Sequence, residues 1–281
     1  MRERPGTTDP LPLPVVDTHC HLDVVDRHLG DTLAPGEALA LAHDAGITRV
    51  VQVGCDVASS RWAADFAETR DDVVAAVALH PNDVPRIVGR DGIAGLEAAL
   101  AEIEALAARP SVRAVGETGL DYYRTREQSE QALQHESFRR HIDMAKRLDR
   151  TLVIHDREAH ADILRILEEE GAPDRVVFHC FSGDAEMARH CANRGWFCSF
   201  AGVVTYKNAE DLRDALRALP RSAFLVETDA PYLTPVPHRG AVNASYLVPL
   251  TVRTMAATRQ EPLDQVCADL WDNSQSAFGP L

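Results

Sequence analysis

The stretch Val15-Val16-Asp17-Thr18-His19-Cys20-His21-Leu22-Asp23 reads as a short apolar strand that runs out into two histidines. Side chains two apart on a strand share a face, so His19 and His21 can reach one metal ion while Cys20 points the other way. Paired histidines also occur as ordinary core or surface residues, so this pattern takes its weight from the rest of the chain.

Working outward, the same unit recurs: a short apolar strand, then a helix. Strands are expected at Arg49–Gly54, Val73–Leu79, Val112–Gly116, Thr151–Ile154, Val176–Phe178, Trp196–Phe200 and Ala223–Val226. Their β-branched runs suit burial on both faces, as in a parallel sheet. Between them, apolar residues three and four apart predict helices at Gly36–Ala45, closed by Gly46, and after a cap at Ser59 or Ser60. Further helices are expected at Ile93–Ala108, Glu127–Leu148, Ala161–Glu170, Ala185–Asn193 and Asp211–Leu219. Two more are expected at Val248–Thr258 and Leu263–Trp271. Eight strands alternating with helices predict an α/β protein, a (β/α)8 TIM barrel, in one domain over residues 15–281. An open doubly wound sheet is the alternative, since alternation alone does not show closure.

The chain has 281 residues, 45% of them hydrophobic, enough for one large core. Its formal net charge of −14 gives no bulk attraction to nucleic acid or anionic membrane. That counts against a nuclease unless metal ions and a local basic patch hold the polyanion. Six cysteines without a Cys-x-x-Cys pair read as reduced thiols. Residues 1–14 are polar and proline-rich, unlike a signal peptide, and read as a loose tail. No run is long enough to span a bilayer. These features predict a cytoplasmic protein with no membrane partner.

In such a barrel, residues at the carboxyl ends of the strands converge on one face. His19 and His21 follow the first strand, Glu117 the fourth, His155 the fifth, His179 the sixth and Asp229 the eighth. Any one of these histidines could be a hydrogen-bonded core residue, and Asp229 could cap a turn. That every one ends an apolar run points to a metal site. Six ligating side chains exceed the needs of one tetrahedral ion and suit two divalent ions sharing a group. A carboxylate can bridge two ions and an imidazole cannot, which singles out Glu117. On the substrate side, His80 ends the third strand and could contact substrate, support a ligand from behind or sit in a turn. Arg157 could meet a phosphate through its planar fork or join a surface ion pair, and Lys207, Arg124, Arg126 and Arg239 could form a basic patch or stand solvated. Tyr122 and Tyr123 could stack on a base, or simply pack their loop.

The motifs Asp17-Thr18-His19-Cys20-His21-Leu22-Asp23, Gly116-Glu117-Thr118-Gly119-Leu120-Asp121-Tyr122-Tyr123, Ile154-His155-Asp156-Arg157-Glu158-Ala159, His179-Cys180-Phe181-Ser182-Gly183 and Glu227-Thr228-Asp229-Ala230-Pro231-Tyr232-Leu233 together resemble the TatD-type metal-dependent deoxyribonucleases of the amidohydrolase superfamily. The resemblance runs from Val15 to the region of Asn273. It implies that His19, His21, Glu117, His155, His179 and Asp229 bind metal, with Glu117 shared between two ions. It also implies hydrolysis of DNA, often as a 3′-to-5′ exonuclease on single strands or 3′ ends, usually with magnesium. Four imidazoles favour zinc, manganese or iron over magnesium, so Mg, Mn and Zn all stay open. The family's usual Arg-Gly-Lys followed by Asn-Glu-Pro is replaced here by Arg239-Gly240-Ala241-Val242-Asn243-Ala244-Ser245, which bears on substrate preference.

The expected chemistry is attack by a metal-activated water on a DNA phosphodiester, with Asp229 orienting the water and taking its proton and Glu117 holding the metals. A hydrolase of the same fold acting on a small amide, lactone or ester stays open, because the same ligands serve carbonyl chemistry. A non-enzymatic metal-binding protein is the third reading, and it usually comes with lost ligands.

Overall fold

The computed structural model describes residues 4–24 and 33–281. In chain order the elements are β1 (Val15–Cys20), α1 (Pro35–Asp44), β2 (Ile47–Gly54), α2 (Val57–Glu68), β3 (Val73–Val77), α3 (Asp83–Ala107), β4 (Val112–Asp121), α4 (Gln128–Arg147), β5 (Thr151–Arg157), α5 (His160–Glu170), β6 (Val176–Phe178), α6 (Ala185–Asn193), β7 (Phe197–Phe200), α7 (Glu210–Ala218), β8 (Phe224–Val226), α8 (Val248–Arg259) and α9 (Leu263–Phe278). Parallel pairing joins β1 to β2, β3 to β4, β4 to β5, β5 to β6 and β7 to β8. The strands follow one another in sequence order within a single sheet. Cys20 at the end of β1 bridges to Ala230 just past β8. This is the (β/α)8 barrel. A doubly wound sheet would run out of sequence order and leave its first and last strands apart.

By density of contacts the chain divides into two units, Met1–Gln52 with Gly183–Leu281, and Val53–Ser182. In the first unit α9 packs on β1 and β8, and Val15, Val16, Phe224, Val266, Leu270 and Phe278 are buried. Helix α9 outruns its expected end at Trp271 because buried polar residues interrupt its apolar stripe there, and the fold supplies their hydrogen bonds. Asn273 donates to the carbonyls of Arg221 and Phe224 at 2.8 and 2.9 Å, and Ser274 to that of Leu270 at 2.7 Å. The segment ahead of β1, expected as a tail, bonds to its own unit. Leu11 N–H donates to the Ala45 carbonyl at 3.0 Å. Tyr246 donates to the Pro5 carbonyl at 2.8 Å, and Arg253 to those of Asp9 and Pro10. Residues 1–3 of that segment lie outside the described residues.

In the second unit α4 packs on β4, and Phe138, Ile142, Leu152 and Ile154 are fully buried. Truncating such a buried Phe to Ala costs about 3–5 kcal/mol. Helix α3 starts at Asp83, well before the expected Ile93, and breaks at Gly92 (φ 71°, ψ −174°), so the expected helix is its second limb. The cap of α2 is Asp56 rather than Ser59 or Ser60. The Asp56 carboxylate accepts from Ser59 N–H at 2.7 Å, and the Ser59 hydroxyl accepts from Asp56 N–H at 3.0 Å. Strands β4 and β5 both run past their expected ends, so Glu117 and His155 lie within strands instead of after them. Their polar exits break the apolar run by which a buried strand is read. Gly119 permits the extension. It sits opposite His155, and a Cβ there would meet the His155 carbonyl at 2.1 Å. No described helix is long and apolar enough to cross a membrane.

Candidate metal centre

The structure gathers the expected ligands into two sets, one in each unit. In the first unit β1 carries His19 and leads directly to His21, and Asp229 follows β8. His19 Nε2 and His21 Nε2 lie 3.3 Å apart, and Asp229 Oδ1 lies 3.9 and 3.4 Å from them. The backbone fixes this trio. Asp229 N–H donates to the His19 carbonyl, and His21 N–H to that of Ala230, both at 2.9 Å. Beneath them Asp17 accepts from Thr228 N–H at 2.9 Å and from the Thr228 hydroxyl at 2.6 Å. Burial pushes the Asp17 carboxyl up to about 6 against the opposing pull of these hydrogen bonds. Asp229 is the open member: its side chain is 16% exposed, against 0% for His19 and 5% for His21.

In the second unit Glu117 is the hub. Its Oε2 lies 2.9 Å from His179 Nε2, 3.0 Å from His155 Nδ1 and 3.9 Å from His80 Nε2. His80, Glu117 and His155 each offer a donor atom within 4.8 Å of the others. His80, expected on the substrate side, therefore stands among the ligand candidates, its ring edge-on to His155 at 4.5 Å. Burial works against the Glu117 carboxylate. The charges of His179 and His80 and hydrogen bonds from His155 and His179 overcome it and hold its pKa well below the usual range. Burial likewise lowers His80 to about 3, helped by the neighbouring His155. On His155 burial is overcome by hydrogen bonds to Asp121 and Glu117, and the pKa rises. Surroundings that favour a proton on His155 also favour a cation.

Both donor sets fit divalent metals. Three imidazole nitrogens face one carboxylate oxygen in one set, and two imidazole nitrogens face each other beside a carboxylate in the other. Such crowding of lone pairs suits zinc, manganese or iron.

Several working residues had no role assigned from sequence. Asp121 accepts from Asn82 Nδ2 at 2.8 Å and from Arg124 N–H at 2.9 Å, and its Oδ2 lies 3.3 Å from His155 Nε2. It orients the ring from the side opposite Glu117. Its place four residues after Glu117, hence on the same strand face, was the available signal. Cys55 donates its thiol to Glu117 Oε1 at 3.4 Å. Asn243, in the departing loop, donates to the carbonyls of Thr228 and Tyr232 at 2.9 and 2.6 Å. That loop so fastens the Asp229 segment without the missing basic residue.

Of the basic candidates, Arg157 lies on the Tyr123 ring at 4.0 Å and Arg239 on the Tyr206 ring at 4.4 Å. Lys207 is exposed. Arg126 Nε donates to the Tyr123 carbonyl at 3.4 Å. The Tyr122 hydroxyl is committed, 2.5 Å from both His135 Nε2 and Asp162 Oδ2, whereas Tyr123 is 46% exposed.

A (β/α)8 barrel whose strand ends carry clustered imidazoles and carboxylates defines a class, the metal-dependent barrel hydrolases. The chain belongs to the family described as TatD related DNase, whose model matches residues 16–279. It is 44% identical over 268 residues to an uncharacterized metal-dependent hydrolase, TatD, of Mycobacterium tuberculosis, covering 94% of this chain and 98% of that protein. It is 37% identical over 270 residues to the uncharacterized metal-dependent hydrolase YcfH of Escherichia coli K12, covering 94% and 95%. The crystal structure of YJJV, a TatD homologue from Escherichia coli K12, matches with a TM-score of 0.83 at 26% identity, covering 95% of this chain and 98% of that one. The chain is thus a metal-dependent hydrolase of the TatD family, as its motifs led one to expect.

Proposed function

We propose that this protein is a divalent-metal-dependent deoxyribonuclease of the cytoplasm that hydrolyses phosphodiester bonds in single-stranded DNA or at 3′ ends, in the 3′-to-5′ direction. The observation that carries the reading is the Glu117 hub, one buried carboxylate oxygen facing three imidazoles, in a chain whose family is described as DNases. His19, His21 and Asp229 hold one divalent ion, and Glu117, His155 and His179 the other, with His80 beside them. That Glu117 serves both ions rests on the family resemblance. When bound, such ions make water more acidic and offset charge that builds on the scissile ester's oxygens. Asp229, the carboxylate of its set and its most open member, takes the proton of the attacking water. Asp121 and Glu117 hold the His155 ring, and Arg157 and Lys207 bind substrate.

The deciding experiment incubates purified protein and Mg²⁺, Mn²⁺ or Zn²⁺ with end-labelled single-stranded DNA, beside a panel of lactones and amides. Shortening of the DNA from its 3′ end is the expected result. Turnover of a lactone or amide with intact DNA would move the protein to carbonyl chemistry. With a net charge of −14, binding comes from the metals and a few cations. The rate should therefore fall shallowly with salt, by roughly 0.7 log units per log unit of salt for each phosphate contacted.

A further inference from the structure

Arginines of this acidic chain are mostly held by carboxylates. Arg61, Arg109, Arg139, Arg140, Arg147 and Arg165 all sit in ion pairs. Arg157 differs. Among the described residues its guanidinium meets no carboxylate and donates to no carbonyl, and its Cζ sits over the Tyr123 ring, 4.0 Å from the centroid. This cation–π contact holds the guanidinium over the ring and leaves its N–H donors for a ligand.

The platform beneath is anchored. Tyr122 N–H donates to the Arg157 carbonyl at 2.9 Å, and the Tyr122 hydroxyl is gripped by His135 of α4 and Asp162 of α5. These contacts fix the backbone from which Tyr123 projects beside Arg157. Arg157 also sits in regular β structure, paired with Asp121, as His155 is with Gly119. Residues 155 and 157 share a strand face one pleat repeat apart, roughly 7 Å. An ordered, uncommitted guanidinium thus stands one step outward from a candidate metal ligand.

We infer that Tyr123 and Arg157 form a second anion subsite, which grips through the Arg157 fork the phosphate adjoining the scissile one. Tyr123 is its positioning residue. The inference rests on the phosphodiesterase reading and sharpens it: the favoured substrate carries two neighbouring phosphates. A neutral lactone or amide would leave the subsite without an anion.

The test uses the full-length protein with Mn²⁺ and three dithymidine dinucleotides, one unphosphorylated, one 5′-phosphorylated and one 3′-phosphorylated. Each has a single scissile diester. One phosphorylated form should exceed the plain dinucleotide in kcat/KM by about 10- to 100-fold, the worth of a hydrogen bond to a charged group. Arg157→Ala should bring that ratio to about one. Arg157→Lys should restore part of it, and Tyr123→Leu should lower it while Tyr123→Phe keeps it. A structural defect would depress all three substrates together and leave the ratio alone. Equilibrium binding of fluorescently labelled versions of these ligands to metal-free protein should follow the same order. No preference in the wild type, or a preference that survives Arg157→Ala, overturns the subsite. Binding preference without cleavage of any dinucleotide or DNA would leave the subsite standing and overturn the phosphodiesterase reading instead.

Discussion

Glu117 Oε2 lies 2.9 Å from His179 Nε2 and 3.0 Å from His155 Nδ1, so one buried oxygen organises two imidazoles, one in β5 and one just past β6. Replacing it with the isosteric amide keeps the volume and removes the charge that holds both rings and would attract a cation. Glu117→Gln should therefore lower kcat/KM by roughly 10²-fold or more and weaken metal binding measured by competition with a chelating dye. Arg124→Ala should cost far less: Arg124 reaches Asp121 through its backbone N–H, which the substitution retains. Similar losses in the two variants, with native circular dichroism, would remove Glu117 from the centre.

Asp17 and Thr228 make the corresponding fastening in the other set. The hydroxyl bond of 2.6 Å and the amide bond of 2.9 Å satisfy a fully buried carboxylate. Thr228→Val keeps the shape and deletes the hydroxyl donor, so it should destabilise the fold by about 1–3 kcal/mol in urea unfolding. It should also loosen Asp229, the next residue, and weaken metal binding. An unchanged urea midpoint would mean that the amide alone satisfies Asp17.

The sequence and the structure agree where apolar periodicity speaks and part where polar residues are buried. Eight strands and their helices were legible because short β-branched runs alternate with 3.6-residue stripes. The ligand candidates were legible because each follows such a run. The extensions of β4 and β5 were not, since Glu117, Asp121 and His155 are polar residues facing a centre, and a hydropathy pattern ends where they begin. The role of Asn243 was hidden for another reason. It works through carbonyls of Thr228 and Tyr232, fifteen and eleven residues back in the chain, and no local pattern marks such a bond. His80 was legible as a strand-end histidine. Its place beside Glu117 depends on the fold bringing β3 and β4 together.

Dialysis against a chelator should abolish hydrolysis, and adding back ions should restore it most effectively with manganese or zinc, as the imidazole-rich sets favour these over magnesium. The same ions should raise the melting temperature. A site saturated about 100-fold over its Kd adds roughly 2.7 kcal/mol to stability. His21→Ala and His179→Ala, one from each set, should each reduce that thermal shift. A shift abolished by one variant and untouched by the other would assign all the bound metal to a single set.

His141 contributes to the pH dependence of stability. It is fully buried in α4, its Nε2 accepts from Leu79 N–H at 3.2 Å, and its Nδ1 donates to the Ser137 carbonyl at 2.7 Å. Both nitrogens are used by the neutral ring, and a second proton would displace the Leu79 bond at the end of β3. Burial accordingly lowers the pKa from 6.5 to about 4. With the folded pKa depressed, the unfolded chain binds more protons between those values, so stability falls as pH falls. The contribution is complete above about pH 6.5 and gone below about pH 4. By linkage, about 2 kcal/mol should be lost between roughly pH 7.5 and pH 5. Urea unfolding of metal-free protein at both values measures the total, to which other histidines also contribute. His141→Gln offers an amide that does not titrate, so the difference between wild type and variant isolates this ring. The variant should lose less stability on acidification than the wild type, by about that amount. Equal losses would place the titration elsewhere and show that the ring at the end of β3 tolerates its second proton.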